Sequence, residues 1–337
     1  MLRISYKEFL KIRKTISIGN LERQSKYYRG TLLSILIQKK IESVKKNYHI
    51  FANKSEEILD FWEKTGKIPR MLGLTPIIKI RIILKAMGYG KNRIKKILMN
   101  PQLCDDENLS REVYSAVLKD YVYSPLAAEL QMARGKMGEK ILKSWLECMN
   151  VEYKTEKFLK RNSRKTPDFL IEEHFDINGR TVSWIESKSM FGDPRTHELL
   201  FKKQYKKYTE MFGDGIAIYW LGYVNGLKNA SAGEFISSNL RDNLLEMKVI
   251  LMKKEPVKSR SGDIVVSLND KSADGVEIKE LMITDQNEID CSKIIKGFKK
   301  LFSLFSLGRL VILCDNYNFG FIKEVLRNYG FALEFYM

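Results

Sequence analysis

The sequence predicts an α/β protein in which a helical region precedes a mixed sheet with flanking helices. In residues 1–125 apolar side chains recur at roughly helical spacing, as in Leu33, Ile37 and Ile41. After about residue 150 the pattern changes to short strand-like runs separated by turns, and residues 216–221 form a nearly continuous apolar strand typical of a buried sheet. Helices and strands in this order predict a sheet covered by helices.

Two short helices joined by a glycine turn form the clearest pattern in the helical region. Thr75 is a predicted N-cap with Pro76 at the first helical position, and the helix should run over 77–87. Gly88-Tyr89-Gly90 ends it, and a second helix is expected over 91–99. This pattern fits a helix-turn-helix unit and equally any αα-hairpin with a basic outer face. The side chains expected to contact DNA are Arg81, Lys85, Lys91, Arg93, Lys95 and Lys96.

From residue 126 the predicted element order is α-β-β-β-α-β. Tyr123-Ser124-Pro125 is read as a break, and Asn178-Gly179 favours a tight hairpin turn. The expected elements are a helix over 126–149, strands over 151–158, 168–171 and 181–188, a helix over 195–212, and a strand over 216–221.

The last part of the chain is predicted to be a small separate α/β unit. Its expected elements are strands over 263–268 and 276–283, a helix over 291–305, a strand over 310–314, a helix over 321–328 and a strand over 331–335. We therefore predict three domains: a basic all-helical region over 1–125, a sheet domain over 126–256, and a C-terminal domain over 257–337.

Positive charge is concentrated at the start of the chain. The formal net charge of the 337 residues is +17, and residues 1–100 carry 23 Lys and Arg against 7 Asp and Glu, a balance of +16. A general lysine bias would spread this charge along the chain. The segregated charge instead favours a polyanion partner, for which nucleic acid is the usual candidate.

Composition excludes several other classes of protein. No run of 18 apolar residues exists, so no membrane span is expected, and the N-terminus lacks the apolar segment of a signal peptide. The four cysteines are far apart, which argues against a zinc site or a disulfide framework and favours an intracellular protein, cytoplasmic or nuclear. They are Cys104, Cys148, Cys291 and Cys314.

Three charged residues have the spacing of a metal-dependent phosphodiester-cleaving site. Asp168 follows Thr166-Pro167, and 18 residues later comes Glu186-Ser187-Lys188. Side chains alternate along a strand, so Glu186 and Lys188 should share one face, and Asp168 can join them from a neighbouring strand. Two carboxylates can hold Mg²⁺ or Mn²⁺, and a lysine beside them can stabilise developing negative charge.

The longer pattern resembles the PD-(D/E)XK nuclease superfamily and, within it, the codanin-interacting nuclease family, whose members look related to archaeal Holliday junction resolvases. The resemblance covers roughly residues 1–256. It is carried by Thr166-Pro167-Asp168-Phe169, Trp184-Ile185-Glu186-Ser187-Lys188, Phe191-Gly192-Asp193, Gln204 with Tyr208, and Phe212-Gly213-Asp214-Gly215 before Ile218-Tyr219-Trp220. It implies a restriction-endonuclease-like core and helix-turn-helix units before it.

The resemblance also implies roles for individual residues. Asp168 and Glu186 would bind the metal, Lys188 would activate or orient water, and Glu139 would complete the metal shell, although a solvated helix acid explains Glu139 equally well. Gln204 and Tyr208 would support the site, with a surface pair as the alternative.

Two nearby side chains have expected roles outside the chemistry. Asp193 is expected to cap the following helix, and His197 is expected to cap it or face solvent.

The expected function is a metal-dependent endonuclease for structured or branched DNA, acting as a possible homodimer. A non-cleaving nucleic-acid-binding or adaptor protein on the same fold is the alternative. A third possibility is a protein-interaction module that docks a partner through residues 257–337.

Overall fold

The computed structural model describes residues 2–23, 26–159, 166–177, 179–253, 263–266, 281–284, 291–308, 310–314 and 316–336. The chain divides into two compact units. The first unit comprises Met1–Ile35 and Arg134–Glu246, and the second comprises Leu36–Ala133 and Met247–Met337. Residues 1–125 therefore contribute to both units.

The helices that the structure describes lie mostly where the sequence predicts them. They are α1 (Tyr6–Thr15), α2 (Arg29–Ala52), α3 (Ser55–Thr65), α4 (Pro76–Ala86), α5 (Lys91–Met99), α6 (Glu107–Lys119), α7 (Pro125–Cys148), α8 (Glu156–Leu159), α9 (Pro194–Leu200), α10 (Lys206–Phe212), α11 (Asn239–Glu246), α12 (Cys291–Leu304) and α13 (Asn316–Asn328). A π-helical segment, Phe201–Tyr205, joins α9 to α10. None of the described helices is long and apolar enough to span a membrane.

The strands are short, and most belong to two sheets. They are β1 (Arg3–Ile4), β2 (Tyr153–Thr155), β3 (Phe169–Ile171), β4 (Asp176–Ile177), β5 (Arg180–Thr181), β6 (Trp184–Lys188), β7 (Gly215–Tyr219), β8 (Tyr223–Val224), β9 (Ala230–Ser231), β10 (Lys248–Lys253), β11 (Asp263–Val266), β12 (Leu281–Thr284), β13 (Leu310–Cys314) and β14 (Ala332–Tyr336).

A mixed sheet of five strands forms the centre of the first unit, in the order β2-β3-β6-β7-β9. β3 is antiparallel to β2 and β6, while β7 is parallel to β6 and β9. All five residues of β7 are buried, as the apolar run predicted. The predicted α/β class with a mixed sheet is confirmed, and the restriction-endonuclease-like description stays a prediction.

The N-terminal segment packs against residues that follow β6 and β7 and is not wholly helical. β1 pairs in parallel with β8, and Phe9 stacks on Phe191 with ring centroids 5.7 Å apart. Farther along, Ser34 Oγ accepts a hydrogen bond of 2.8 Å from the backbone N–H of Phe191. The all-helical expectation for 1–125 missed β1 because a two-residue strand carries no readable periodicity.

Two elements of the first unit differ from their predicted form. The strand expected over 151–158 is only β2, because its partner β3 is three residues long, and the chain turns into α8. The helix expected over 195–212 contains the π segment Phe201–Tyr205. An insertion of this kind leaves no mark in the hydrophobic pattern.

The second unit contains both helices of the predicted glycine-turn pair, α4 and α5, on either side of Gly88. The N-cap differs from the prediction, because the Thr75 side chain makes no capping hydrogen bond. Instead Asp120 Oδ2 accepts from the backbone N–H of Ile77 at 2.9 Å. DNA binding by this helix pair stays a prediction.

A parallel three-stranded sheet, β13-β10-β14, also belongs to the second unit. Tyr329 is buried in this unit and its hydroxyl lies 2.6 Å from the hydroxyl of Ser124. The expected helices and strands of the C-terminal region are present where the structure describes them. The remaining parts of the strands expected over 263–268 and 276–283 lie outside the described residues.

Candidate active site

The alternation of β6 places Glu186 and Lys188 on one face, as predicted. The Lys188 ammonium donates a hydrogen bond of 2.5 Å from Nζ to Glu186 Oε1. Trp184 and Ile185 are fully buried and anchor the strand in the core. The strand therefore holds a charged pair rigidly at its C-terminal half.

Asp168 joins this pair from the start of β3 through two hydrogen bonds that involve the backbone. Its N–H donates to Glu186 Oε2 at 3.1 Å, and its own Oδ2 accepts from the Ser187 N–H at 2.8 Å. These bonds are possible because β3 and β6 are adjacent and antiparallel, with Phe169 opposite Ile185. The structure thus brings Asp168, Glu186 and Lys188 together.

Burial strongly perturbs the carboxyl group of Glu186. Its side chain is 4% exposed, and this burial raises its pKa to about 7, with the negative charge of Asp168 as the next cause. The charge and hydrogen bond of Lys188 act in the opposite direction. The site therefore concentrates negative charge in a place where water compensates for it poorly.

Glu139, on α7, lies beside the same carboxylates. It lines a cavity of about 350 Å³ together with Asp168. Desolvation raises the Glu139 pKa, and the charge of Asp168 raises it further. The preceding Gly138 permits this approach, because a Cβ there would lie 2.4 Å from Ser189 Oγ and 2.6 Å from the Trp220 indole.

Tyr208 and Gln204 have different surroundings. The buried Tyr208 donates from its hydroxyl to the backbone carbonyl of Thr166 at 2.8 Å and packs edge-on against Trp184. Tyr208 therefore holds the chain immediately before Asp168. The side-chain oxygen of Gln204 is buried and has no hydrogen-bond partner among the described residues.

Sequence reasoning missed a group of lysines around the cavity. Four lysines line it with Glu139, Glu156 and Asp168, and all four are exposed. Three lie on α7 at spacings of four and three residues, which puts them on one helix face. This helical spacing is the sequence signal that could have identified these lysines as a group. The lysines are Lys136, Lys140, Lys143 and Lys157.

His197 is buried, contrary to the expectation that it caps a helix or faces solvent. Its Nδ1 lies 2.9 Å from the hydroxyl of the fully buried Tyr219 on β7, and burial lowers its pKa. Asp193 takes the predicted capping role, since its Oδ1 accepts from the Thr196 N–H at 3.0 Å.

The six cations predicted to contact DNA are all exposed on α4 and α5 of the second unit. Arg81, Lys85, Lys91 and Lys95 line one groove. Arg93 instead donates to the backbone carbonyl of Leu103 at 2.8 Å, and Lys96 does not line the groove.

The donor set suits a hard divalent cation with few protein ligands. Among the residues that the structure describes, no three His, Cys, Asp or Glu side chains form a ligand cluster. Mg²⁺, however, is commonly held by one or two carboxylates, with waters and substrate phosphates completing its shell. Asp168 raises the pKa of both Glu186 and Glu139 by its charge, and a cation would relieve this repulsion.

Comparison with known proteins finds a family model and several relatives that are similar to this chain. A family model described as "Protein of unknown function TPD sequence-motif" matches residues 105–240. CDAN1-interacting nuclease 1 of Bos taurus is 30% identical over 220 residues, which cover 59% of this chain and 78% of that protein. The Homo sapiens protein of the same name is 28% identical over 241 residues, 65% of this chain and 85% of that protein. No solved structure shows significant similarity.

The family expected from the motif is confirmed, while the relation to PD-(D/E)XK nucleases and to archaeal resolvases stays a prediction. Thr166-Pro167-Asp168 lies within the matched segment. The chain belongs to the TPD-motif family, together with the proteins named CDAN1-interacting nuclease 1.

Proposed function

We propose that this chain is a metal-dependent endonuclease that hydrolyses phosphodiester bonds in DNA, with structured or branched DNA as its substrate. The observation that carries the proposal is the interlocked cluster of Asp168, Glu186 and Lys188 at the junction of β3 and β6. The names of the relatives, which describe nucleases, support the same chemistry.

Asp168 and Glu186 would hold Mg²⁺ or Mn²⁺, with Glu139 completing the shell directly or through water. The chemistry that the cation supplies is Lewis-acid activation of a water nucleophile and neutralisation of phosphate charge. Lys188 keeps a positive charge 2.5 Å from Glu186 and stabilises the negative charge that develops on the phosphate during cleavage. Tyr208 and the Ser187 N–H keep Asp168 in place.

The lysines around the cavity support a polyanionic substrate. Lys136, Lys140 and Lys143 lie on one face of α7 and line the cavity that Asp168 and Glu139 share. Cations at this position attract the phosphates on both sides of the scissile bond. The carboxylates alone would repel such a substrate, so the lysines are needed for its approach.

Cleavage by wild type and Asp168→Ala tests the proposal. The full-length proteins are incubated with labelled four-way junctions, flaps and duplexes, in Mg²⁺, in Mn²⁺ or in EDTA. We expect cutting by wild type only with metal, and none by Asp168→Ala, which still binds the DNA. Glu173→Ala removes an exposed carboxylate of the same unit and serves as the matched control. If wild type and Asp168→Ala cut this DNA panel identically, the proposal that the chain is an enzyme would be refuted.

A non-cleaving nucleic-acid-binding or adaptor protein is the second candidate. The exposed cations of α4, α5 and the cavity favour it, because they attract phosphates whether or not cleavage follows. It predicts salt-dependent DNA binding without turnover in any metal.

A protein partner is a further part of the proposal. The relatives are named for an interaction with CDAN1, and we extend a partner of this kind to this chain, with residues 257–337 as the docking surface. Size-exclusion chromatography of the purified chain mixed with CDAN1 tests it, and separate elution would contradict it.

A further inference from the structure

The second unit contains a groove of about 830 Å³ whose lining is both basic and aromatic. Its walls come from α4, α5 and the N-terminal turns of α7, with Tyr48 of α2 and Lys299 of α12. The volume falls within the range of about 300–1,000 Å³ that is typical of ligand-binding clefts.

The charge of the groove is strongly asymmetric. It is lined by five cations and one acid, Glu129, which already pairs with Lys299 at 3.5 Å. The other four cations make no ion pair within the described part of the chain. Unpaired cations around a concave surface create a field that suits a polyanion. These four are Arg81, Lys85, Lys91 and Lys95.

Three tyrosines and several apolar side chains give the groove surfaces for flat rings. Tyr89 is held by a hydrogen bond of 2.5 Å from its hydroxyl to Asp105 Oδ2, whereas Tyr48 is 38% exposed. Tyr123, Leu98 and Met132 also line the groove. Aromatic side chains between cations are the arrangement on which unpaired bases stack while phosphates meet positive charge.

We infer that this groove binds a single-stranded segment of nucleic acid. A duplex is read by a protruding element that enters its grooves, whereas here the cations surround a concavity. A concavity receives a strand whose bases are free to turn inward. The inference rests on the proposed nucleic-acid substrate and adds that this substrate has an unpaired strand, which flaps and opened junctions contain.

Fluorescence anisotropy with a labelled oligothymidylate of about 12 nucleotides tests the inference, because single-strand sites span about 4–16 nucleotides. Full-length protein is used in EDTA, so that binding is measured without cleavage. We expect Tyr48→Ala to weaken binding about tenfold through the loss of one stacking contact. Lys95→Gln should weaken binding and reduce the slope of log affinity against log salt by about 0.7.

Two matched variants separate the groove from general electrostatics. Lys67→Gln removes an exposed charge of the same unit outside the groove, and Phe61→Ala removes an aromatic side chain of the same unit that is 42% exposed and does not line the groove. Both should bind the oligonucleotide like wild type. Equal affinities of all four variants and wild type would overturn the inference, as would competition by polyglutamate as strong as that by unlabelled oligothymidylate.

Asp168→Ala separates this inference from the nuclease proposal. That variant should bind oligothymidylate normally even though its cleavage is lost. Groove-dependent binding without cleavage by any protein would refute the nuclease and leave the groove assignment standing. If the protein cleaves junctions but its binding does not depend on the groove, the groove inference would be refuted and the nuclease proposal would stand.

Discussion

The hydroxyl of Tyr208 donates a hydrogen bond of 2.8 Å to the backbone carbonyl of Thr166, two residues before Asp168. Both residues are buried, so this carbonyl has little access to water as a substitute partner. The bond connects α10 to the start of β3. It gives Tyr208 a positioning role that its place in the motif did not specify.

Tyr208→Phe should therefore lower both stability and cleavage. Leaving a buried carbonyl unpaired costs about 1–2 kcal/mol, which urea unfolding will measure. Cleavage should fall because Asp168 loses part of its support. Tyr153→Phe is the control, since it removes only an exposed bond of 3.2 Å to Glu147. If both variants lost equal stability and cleavage, Tyr208 would have no particular role in positioning Asp168.

Gly138 and Gly135 lie on one helix and should respond oppositely to alanine. At Gly138 a Cβ would meet Ser189 and Trp220 at 2.4–2.6 Å, so Gly138→Ala must displace α7 and, with it, Glu139. We expect a loss of about 1–3 kcal/mol in the free energy of unfolding, together with reduced cleavage. Gly135 has no atom within 4 Å of such a Cβ, and Gly135→Ala should gain up to about 1 kcal/mol. Urea unfolding of both variants checks this, and a neutral Gly138→Ala would contradict it.

The parts of the site that follow local rules were predictable. Strand alternation placed Glu186 beside Lys188, and the 18-residue separation allowed Asp168 to join from the adjacent strand. His197 was misjudged because its burial depends on Tyr219, which lies 22 residues away and on another element. Long-range packing of this kind overrides the local signals from which helix caps and exposed histidines are read.

Lys140 is expected to attract substrate without taking part in the chemistry. Lys140→Gln should lower kcat/KM and reduce the salt slope of duplex binding by about 0.9, because one phosphate contact is lost. Lys140 is not one of the proposed metal ligands, so the metal requirement should be unchanged. Lys206→Gln removes an exposed lysine of the same unit that does not line the cavity, and it should leave both quantities at their wild-type values. If Lys140→Gln and Lys206→Gln changed kcat/KM and the salt slope equally, Lys140 would have no specific role in attracting substrate.

Because the pKa of Glu186 is raised, we predict that the stability of the metal-free protein falls as pH increases. Because the folded-state pKa of about 7 exceeds the ordinary value of 4.5, the stabilising contribution is complete below pH 4.5 and is lost as pH rises through 7. Glu186→Gln removes this titration, so its Tm relative to wild type should increase between pH 5 and pH 8 in EDTA. Mg²⁺ should raise the Tm of wild type more than that of the variant. A Tm difference independent of pH would show that Glu186 does not titrate in this range.

The cap of α4 offers a direct comparison between the residue that the sequence suggested and the residue that the structure shows. Asp120 is 1% exposed and accepts hydrogen bonds of 2.9 Å from the N–H groups of Ile77, Val122 and Tyr123, whereas Thr75 makes no capping bond. Asp120→Ala leaves these donors without their partner and should cost about 3 kcal/mol. Thr75→Ala should cost less than the ~1 kcal/mol typical of a lost cap. Urea unfolding of both variants decides between them, and a larger loss for Thr75→Ala would restore the threonine as the cap.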